Sequence, residues 1–163
     1  MVWLIEHSPI QIIPEVESGV RWRLGRMCEA VSGQLMFIIP FVEKIDRVDL
    51  TTGAFSFQPQ LVTTQDGVEV TIQLGVTYHV SDSRKLILHV GDNDTAEVVG
   101  VVGRGTAVQV IREHPFDSIV SRQAEIEDKI KDQINDRIEQ YGLECDSAHL
   151  TECGETIGVR LFQ

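Results

Sequence analysis

Three things are scarce in this sequence: paired cysteines, long apolar runs and clustered basic residues. The 163 residues contain only three cysteines, Cys28, Cys145 and Cys153. An odd number without framework spacing fits a reducing compartment rather than a disulfide scaffold. Nothing approaches the 18 or so consecutive apolar residues of a membrane-spanning helix. The opening "MVWLIEHSP" has no basic n-region and too short an apolar run for a signal peptide. It also lacks the Met-Gly start required for myristoylation. No Lys/Arg cluster supplies the basic face that phosphate binding needs, which excludes nucleic acid as a partner. These absences predict a cytoplasmic chain, at most peripheral on the cytoplasmic face of a membrane.

What is present reads as globular. The chain is 42% hydrophobic and 24% charged, and it is long enough to bury a core without metal or disulfide staples. The formal net charge is −11, with 5 basic and 7 acidic side chains in residues 1–60 against 9 and 18 in residues 61–163. A partner for the second half is therefore expected to be basic, unless the charge serves solubility. The clearest periodic signal is "DGVEVTIQLGVTYHVSD", where Val68, Val70, Ile72, Leu74, Val76, Tyr78 and Val80 alternate with polar residues or glycine. Period two over this length predicts a long antiparallel strand with one buried face. Asp66-Gly67 before it is a turn pair, so "AFSFQPQLVTT" is the expected partner strand, made irregular or an edge by Pro59. "GVRWRLG" predicts a short strand closed by Gly25. "EKIDRVDL" predicts a strand with a bulge.

The second half changes character. "DTAEVVGVVGRGTAVQVIREHP" is apolar nearly all round and predicts a buried helix ended by Pro115, with Gly100, Gly103 and Gly105 as a glycine-lined packing face. Next comes "DSIVSRQAEIEDKIKDQINDRIEQYG", where Ile126, Ile130, Ile134 and Ile138 recur every four residues. That spacing predicts one narrow apolar helix face. Asp117 is the expected N-cap and Gly142 the expected C′ residue. Glu125→Lys129 and Glu127→Lys131 are favourably oriented pairs. "LECDSAHL" is expected to return as a strand.

In order, these blocks resemble the SPFH/band-7 domain of the stomatin/prohibitin/flotillin superfamily, closest in pattern to stomatin-like proteins. "IIPEVESGVRWRLGR" looks like that family's opening strand pair. "FIIPFVEKIDRVDL" is similar to its Phe-x-x-Pro-Phe block, through Phe37, Pro40, Phe41, Val48 and Asp49. "TTQDGVEVTIQLGVTYHVSD" resembles its Thr-x-Asp-Gly-Val strand, through Thr64, Asp66, Gly67, Val68, Tyr78 and Val80. The likeness runs over about residues 10–152. It implies an α+β fold: an antiparallel β-rich lobe over residues 10–82, a mostly helical lobe with a closing strand over 83–152, and a tail over 153–163, forming one domain. It further implies a non-enzymatic scaffold that forms homo-oligomers and organises membrane-associated partners. The alternative is a soluble shell module resembling the vault shoulder. In relatives a membrane hairpin precedes the domain and a heptad coiled coil follows it. Neither pattern occurs in residues 1–163, so stable anchoring and full cage assembly are not expected of this stretch.

Candidate sites follow from these readings. Trp3, Leu4 and Ile5, with Phe37, Ile38 and Phe41, are candidate membrane contacts, the alternative being core. Glu125, Asp128, Lys129, Asp132 and Asp136 are candidate oligomer contacts on the acidic back of the last helix, the alternative being a solvated face. The isoleucine stripe is expected to pack against the sheet, or else against another subunit. No catalytic residue, metal or cofactor is expected. Cys145 and His149 would share a strand face about 13 Å apart, too far for a nucleophile–base pair. "GVVGRG" lacks the Gly-Lys-Ser/Thr ending of a phosphate loop.

Overall fold

The computed structural model describes residues 10–91 and 95–155. The elements run β1 (Ile10–Ile13), β2 (Glu17–Arg23), β3 (Arg26–Val31), β4 (Gln34–Phe37), β5 (Glu43–Asp49), β6 (Gly53–Ser56), β7 (Gln60–Thr63), β8 (Glu69–Val80), α1 (Ser83–His89), α2 (Thr95–Arg112), α3 (Phe116–Ser121), α4 (Gln123–Ile138), a 3-10 turn (Glu139–Tyr141) and β9 (Leu143–Glu155). Every described strand pairing is antiparallel. The fold is therefore α+β, with the β-rich part first and a closing strand after the helices.

Alternation in β8 does what period two dictates. Val70, Ile72, Leu74, Val76 and Tyr78 are buried, and the residues between them are half-exposed or exposed. β9 pairs with β8 from Val70 to Val80, whereas β6 pairs with its second half and β7 with its first. A strand has two edges, so β6 and β7 lie end to end along the edge opposite β9. The expected partner strand is thus two strands, parted where Pro59 offers no N–H. At the break Phe57 turns its ring into the core and donates its N–H to the Leu74 carbonyl (2.9 Å).

The helices lie on this sheet. Ile126, Ile130, Ile134 and Ile138 are all buried within the chain, so the stripe is an intramolecular face and not a subunit contact. On α2 a Cβ at Gly100 would meet the Phe55 ring at 3.2 Å, and one at Gly103 would meet Phe57 Cζ at 2.7 Å. The glycine face holds at Gly100 and Gly103 but not at Gly105, which is exposed with open space beside it, and α2 is not buried all round. Val101 is 69% exposed because no described residue covers that side.

Other sequence expectations need correction. β5 pairs with β2 in unbroken register, and the irregularity lies between β2 and β3 at Val20/Trp22. The helix expected from Asp117 is two helices, broken at Arg122, whose φ of −126° and ψ of 41° are not helical. Asp117 lies in the first turn, and the residue before α3 is Pro115, which has no side-chain cap. The cap comes from elsewhere. The Asp66 carboxylate, in the turn before β8, accepts the Phe116 N–H at 3.2 Å through both oxygens. Thr64 holds that carboxylate from the other side, and both interactions lower the Asp66 pKa. Gly142 does end the helical run at φ 75°. Lys129 pairs with Glu113 (3.1 Å) instead of Glu125, and Glu125 meets Arg122 (3.8 Å).

The outer edge of β9 is covered by side chains of α4. Asn135 accepts the Cys145 N–H (2.6 Å) and donates to the Cys145 carbonyl (3.3 Å). Glu127 accepts the Leu150 N–H (2.9 Å), and Gln123 donates to the Leu150 carbonyl (3.1 Å). Burial works to raise the Glu127 pKa, but hydrogen bonds from Gln123, Leu150 and His149 outweigh it and hold the carboxyl low.

Candidate functional site

Two loops meet at one end of the β lobe. β2 turns into β3 through Leu24 and Gly25, both left-handed at φ 49° and 78°. Paired left-handed residues suit the twist of a two-residue hairpin, but glycine or asparagine normally fills such positions. The second loop joins β4 to β5. Glu43, its side chain 3% exposed, accepts the Ile39 N–H (3.0 Å) and faces Arg23 at 3.5 Å and Arg21 at 4.0 Å. The Ile39 carbonyl accepts the N–H groups of Val42 (3.2 Å) and Glu43 (2.9 Å). This closed loop forces Phe41 to φ 69°. The Leu24 N–H donates to the Val42 carbonyl (3.0 Å), which ties the two loops together.

The result is an apolar end. Phe41 is 99% exposed and Leu24 is 78% exposed. A bulky residue at positive φ is an outlier that persists only where its surroundings impose it. Here two occur in hydrogen-bonded neighbouring loops. Arg23, Arg26 and Lys44 are exposed beside them in sequence, although Arg23 faces Glu43 and Lys44 reaches Asp46 (2.6 Å). The β1–β4 ribbon leads into the same loop. Its register sets Ile10 opposite Phe37 and Ile12 opposite Leu35. Directly opposed residues share a face, and all four are exposed, while Ile13 and Met36 on the other face are buried.

The expected site residues therefore separate. Phe37 and Phe41 are exposed, but Ile38 is 6% exposed and belongs to the interior. It cannot be a surface contact, because the strand alternates Met36 and Ile38 inward against Phe37 outward. Trp3, Leu4 and Ile5 lie outside the described residues. Glu125, Asp128, Asp132 and Asp136 are exposed on α4, with Lys129 half-buried beside them. Leu24 and the anchoring role of Glu43 went unread in the sequence. The available signal was a leucine where a hairpin turn ordinarily needs glycine or asparagine.

The comparisons with known proteins decide the family. The sequence pattern of the SPFH domain / Band 7 family matches residues 11–154. The chain belongs to the SPFH domain / Band 7 family. It is 29% identical over 145 residues to an uncharacterised protein of Archaeoglobus fulgidus, covering 89% of this chain and 57% of that one. It is 26% identical over 141 residues to human stomatin-like protein 1, covering 86% and 35%. It is 24% identical over 145 residues to mouse stomatin, covering 88% and 50%. The chain thus spans between about a third and three-fifths of the length of these relatives.

In this SPFH domain the Thr-x-Asp-Gly-Val block is a structural clasp, since Asp66 joins the sheet to α3. The Cys145/His149 pairing fails for a reason different from the one expected. A bulge leaves Asp146 as an extra residue between Ser147 and Cys145, which reverses the alternation. Cys145 is buried and His149 exposed, on opposite faces. Burial pushes the Cys145 thiol up to about 11, so it is not a thiolate at neutral pH. Among the described residues no three His, Cys, Asp or Glu side chains are grouped to hold a metal. No described helix is long and apolar enough to cross a membrane.

Proposed function

We propose that this SPFH domain is a self-associating scaffold that meets a membrane surface through the loop end of its β lobe and organises membrane-associated partner proteins there. The observation that carries the reading is the pair Leu24 and Phe41. Both are bulky, apolar and exposed, and both are held at positive φ by hydrogen bonds between and within their loops. Strain of this kind is kept where it serves a contact. Apolar side chains collared by arginine and lysine suit the boundary between acyl chains and anionic headgroups, where the stems lie in the apolar layer and the charges stay wet. The ribbon face of Ile10, Ile12, Leu35 and Phe37 extends the apolar surface beyond scattered single exposures. Membership of the SPFH domain / Band 7 family supports the membrane setting.

The test is co-sedimentation with vesicles of phosphatidylcholine and phosphatidylserine. Wild-type protein should pellet with the anionic vesicles, and Leu24→Ser/Phe41→Ser should stay in the supernatant while remaining folded. Wild-type protein that assembles but never pellets would overturn the lipid contact and support a soluble shell module instead.

A further inference from the structure

We infer that the open edge of β6 and β7 is a docking site for a partner protein, which adds an extended segment to the sheet and sets one acidic side chain against Arg104. The inference rests on the proposed partner-organising role and names the surface that performs it; the lipid contact is separate. β8 has β9 on one side and β6 and β7 on the other. Side chains of α4 close the outer edge of β9, but among the described residues nothing pairs with the outer edge of β6 and β7. In an antiparallel pair, successive residues turn their backbone groups alternately toward and away from the neighbour. Phe57 donates to Leu74 (2.9 Å) and Thr64 to Val68 (2.9 Å), so Gly53, Phe55, Gln60 and Val62 also turn toward β8. Ala54, Ser56, Leu61 and Thr63 therefore aim their N–H and C=O groups away from it, and no described residue bonds to those groups. All four residues are exposed. A row of such groups is completed by another extended backbone, not by a helix or an acyl chain.

Composition and the flank of α2 say which segment fits. Edges are ordinarily blunted by charge, yet residues 50–65 carry no charged side chain in a chain that is 24% charged. Each residue of α2 advances 100° about the helix axis. Gly100 and Gly103 face Phe55 and Phe57 on the sheet, and Thr106 and Gln109 face α4, where Arg137 reaches them. Val101, Arg104 and Val108, spaced by three and four, lie about a quarter-turn from the glycines on the side away from α4, beside the open edge. Val101 is 69% exposed. Arg104 is exposed and makes no hydrogen bond or ion pair among the described residues. It lines a cleft with Phe57, Gln58, Gln60 and Ala107, level with the break between β6 and β7. An added strand alternates its side chains. Those on the helix side would set apolar groups against Val101 and Val108 and a carboxylate between them, where Arg104 and the amides of Gln58 and Gln60 donate. Glu97 stands on the same flank about one turn before Val101, so an acid is disfavoured at that end. A second copy of this edge does not fit, because residues 50–65 offer Arg104 no acid.

Fluorescence anisotropy and amide hydrogen exchange on the 163-residue chain test this. The probe is a synthetic peptide of about ten residues, long enough to span both strands, alternating threonine and valine around one central glutamate. It should bind and slow exchange at Ala54, Ser56, Leu61 and Thr63, while Phe55 and Val62, already turned toward β8, stay unchanged. Arg104→Glu should weaken binding about tenfold, and a probe with lysine in place of the glutamate should prefer that variant to the wild type. Leu61→Pro removes an outward N–H and spares the β8 ladder, so it should stay folded and bind the probe about tenfold more weakly. A probe that does not bind, or that protects only other amides, would overturn the edge as a docking site. Equal affinity of wild type and Arg104→Glu for both probes would overturn the acid's place. Protection of the four amides that grows with protein concentration, without probe, would overturn the partner in favour of a second copy. Pelleting with anionic vesicles should be unchanged in both variants, so failure at this edge would leave the lipid contact standing.

Discussion

Gly103 and Gly105 lie two residues apart on α2, and alanine at each should move stability in opposite directions. Glycine inside a helix costs about 1 kcal/mol relative to alanine, so propensity alone favours both changes equally. At Gly105 an added Cβ meets nothing within 4 Å. The whole gain of about 1 kcal/mol should appear, raising Tm by about 2–4 °C for a chain of this size. At Gly103 the added Cβ would stand 2.7 Å from Phe57 Cζ and 3.6 Å from Ile134 Cδ1. Carbon atoms rest about 3.5–4.0 Å apart, so the ring must withdraw by about 1 Å. It has little room, being buried and packed edge-on against Phe55 with centroids 5.0 Å apart. Overpacking of this kind costs about 1–3 kcal/mol, which outweighs the propensity gain at most of that range. G103A should lose up to about 2 kcal/mol and G105A should gain about 1 kcal/mol, read by thermal and urea unfolding. If G103A proved as stable as G105A, the close seating of α2 on Phe57 would be wrong.

Four further changes probe other parts of the argument. Asn135→Leu strips both partners from the Cys145 backbone and should cost about 1–3 kcal/mol in urea unfolding, with the folded state retained. Ile134→Ala empties a fully buried site and should cost about 2–5 kcal/mol. Phe41→Gly relieves a positive φ and should stabilise the fold by about 1 kcal/mol, yet reduce pelleting with anionic vesicles. A stabilised variant that still pellets fully would count against the docking end. Glu127 has a folded pKa below its unfolded one. Its contribution is therefore full above the unfolded carboxylate range, about pH 4.3, and is lost as pH falls through the folded value. Glu127→Gln should flatten the decline in stability on acidification, measured by urea midpoints from neutral pH downward.

Much of the fold was legible because its signals are local. Alternation in β8 and the four-residue isoleucine spacing in α4 each bury one face, and both faces are buried in the folded chain. What stayed hidden depends on distant partners. The loss of Asp117 as a cap follows from Asp66, fifty residues before Phe116, which caps α3. The split between Cys145 and His149 follows from a single extra residue in β9, and counting along a sequence cannot detect a bulge. At the candidate site, "FIIPF" marked the loop but not which side chains face out. Ile38 goes in because it continues the inward alternation of Met36. Phe41 goes out because the Glu43 carboxylate and the Ile39 carbonyl close the loop behind it.

The covered edge of β9 reaches beyond stability. Strand edges are where identical chains most readily join backbone to backbone, in contacts that template growth and seldom reverse. Asn135, Glu127 and Gln123 occupy backbone groups at Cys145 and Leu150 that an incoming strand would need. From that side, copies gathered on the proposed membrane surface would be steered away from fibril-like stacking and toward contacts between side chains. An assembly built on side-chain contacts can be taken apart by salt or by a competing partner, which would suit the scaffold role proposed for this domain.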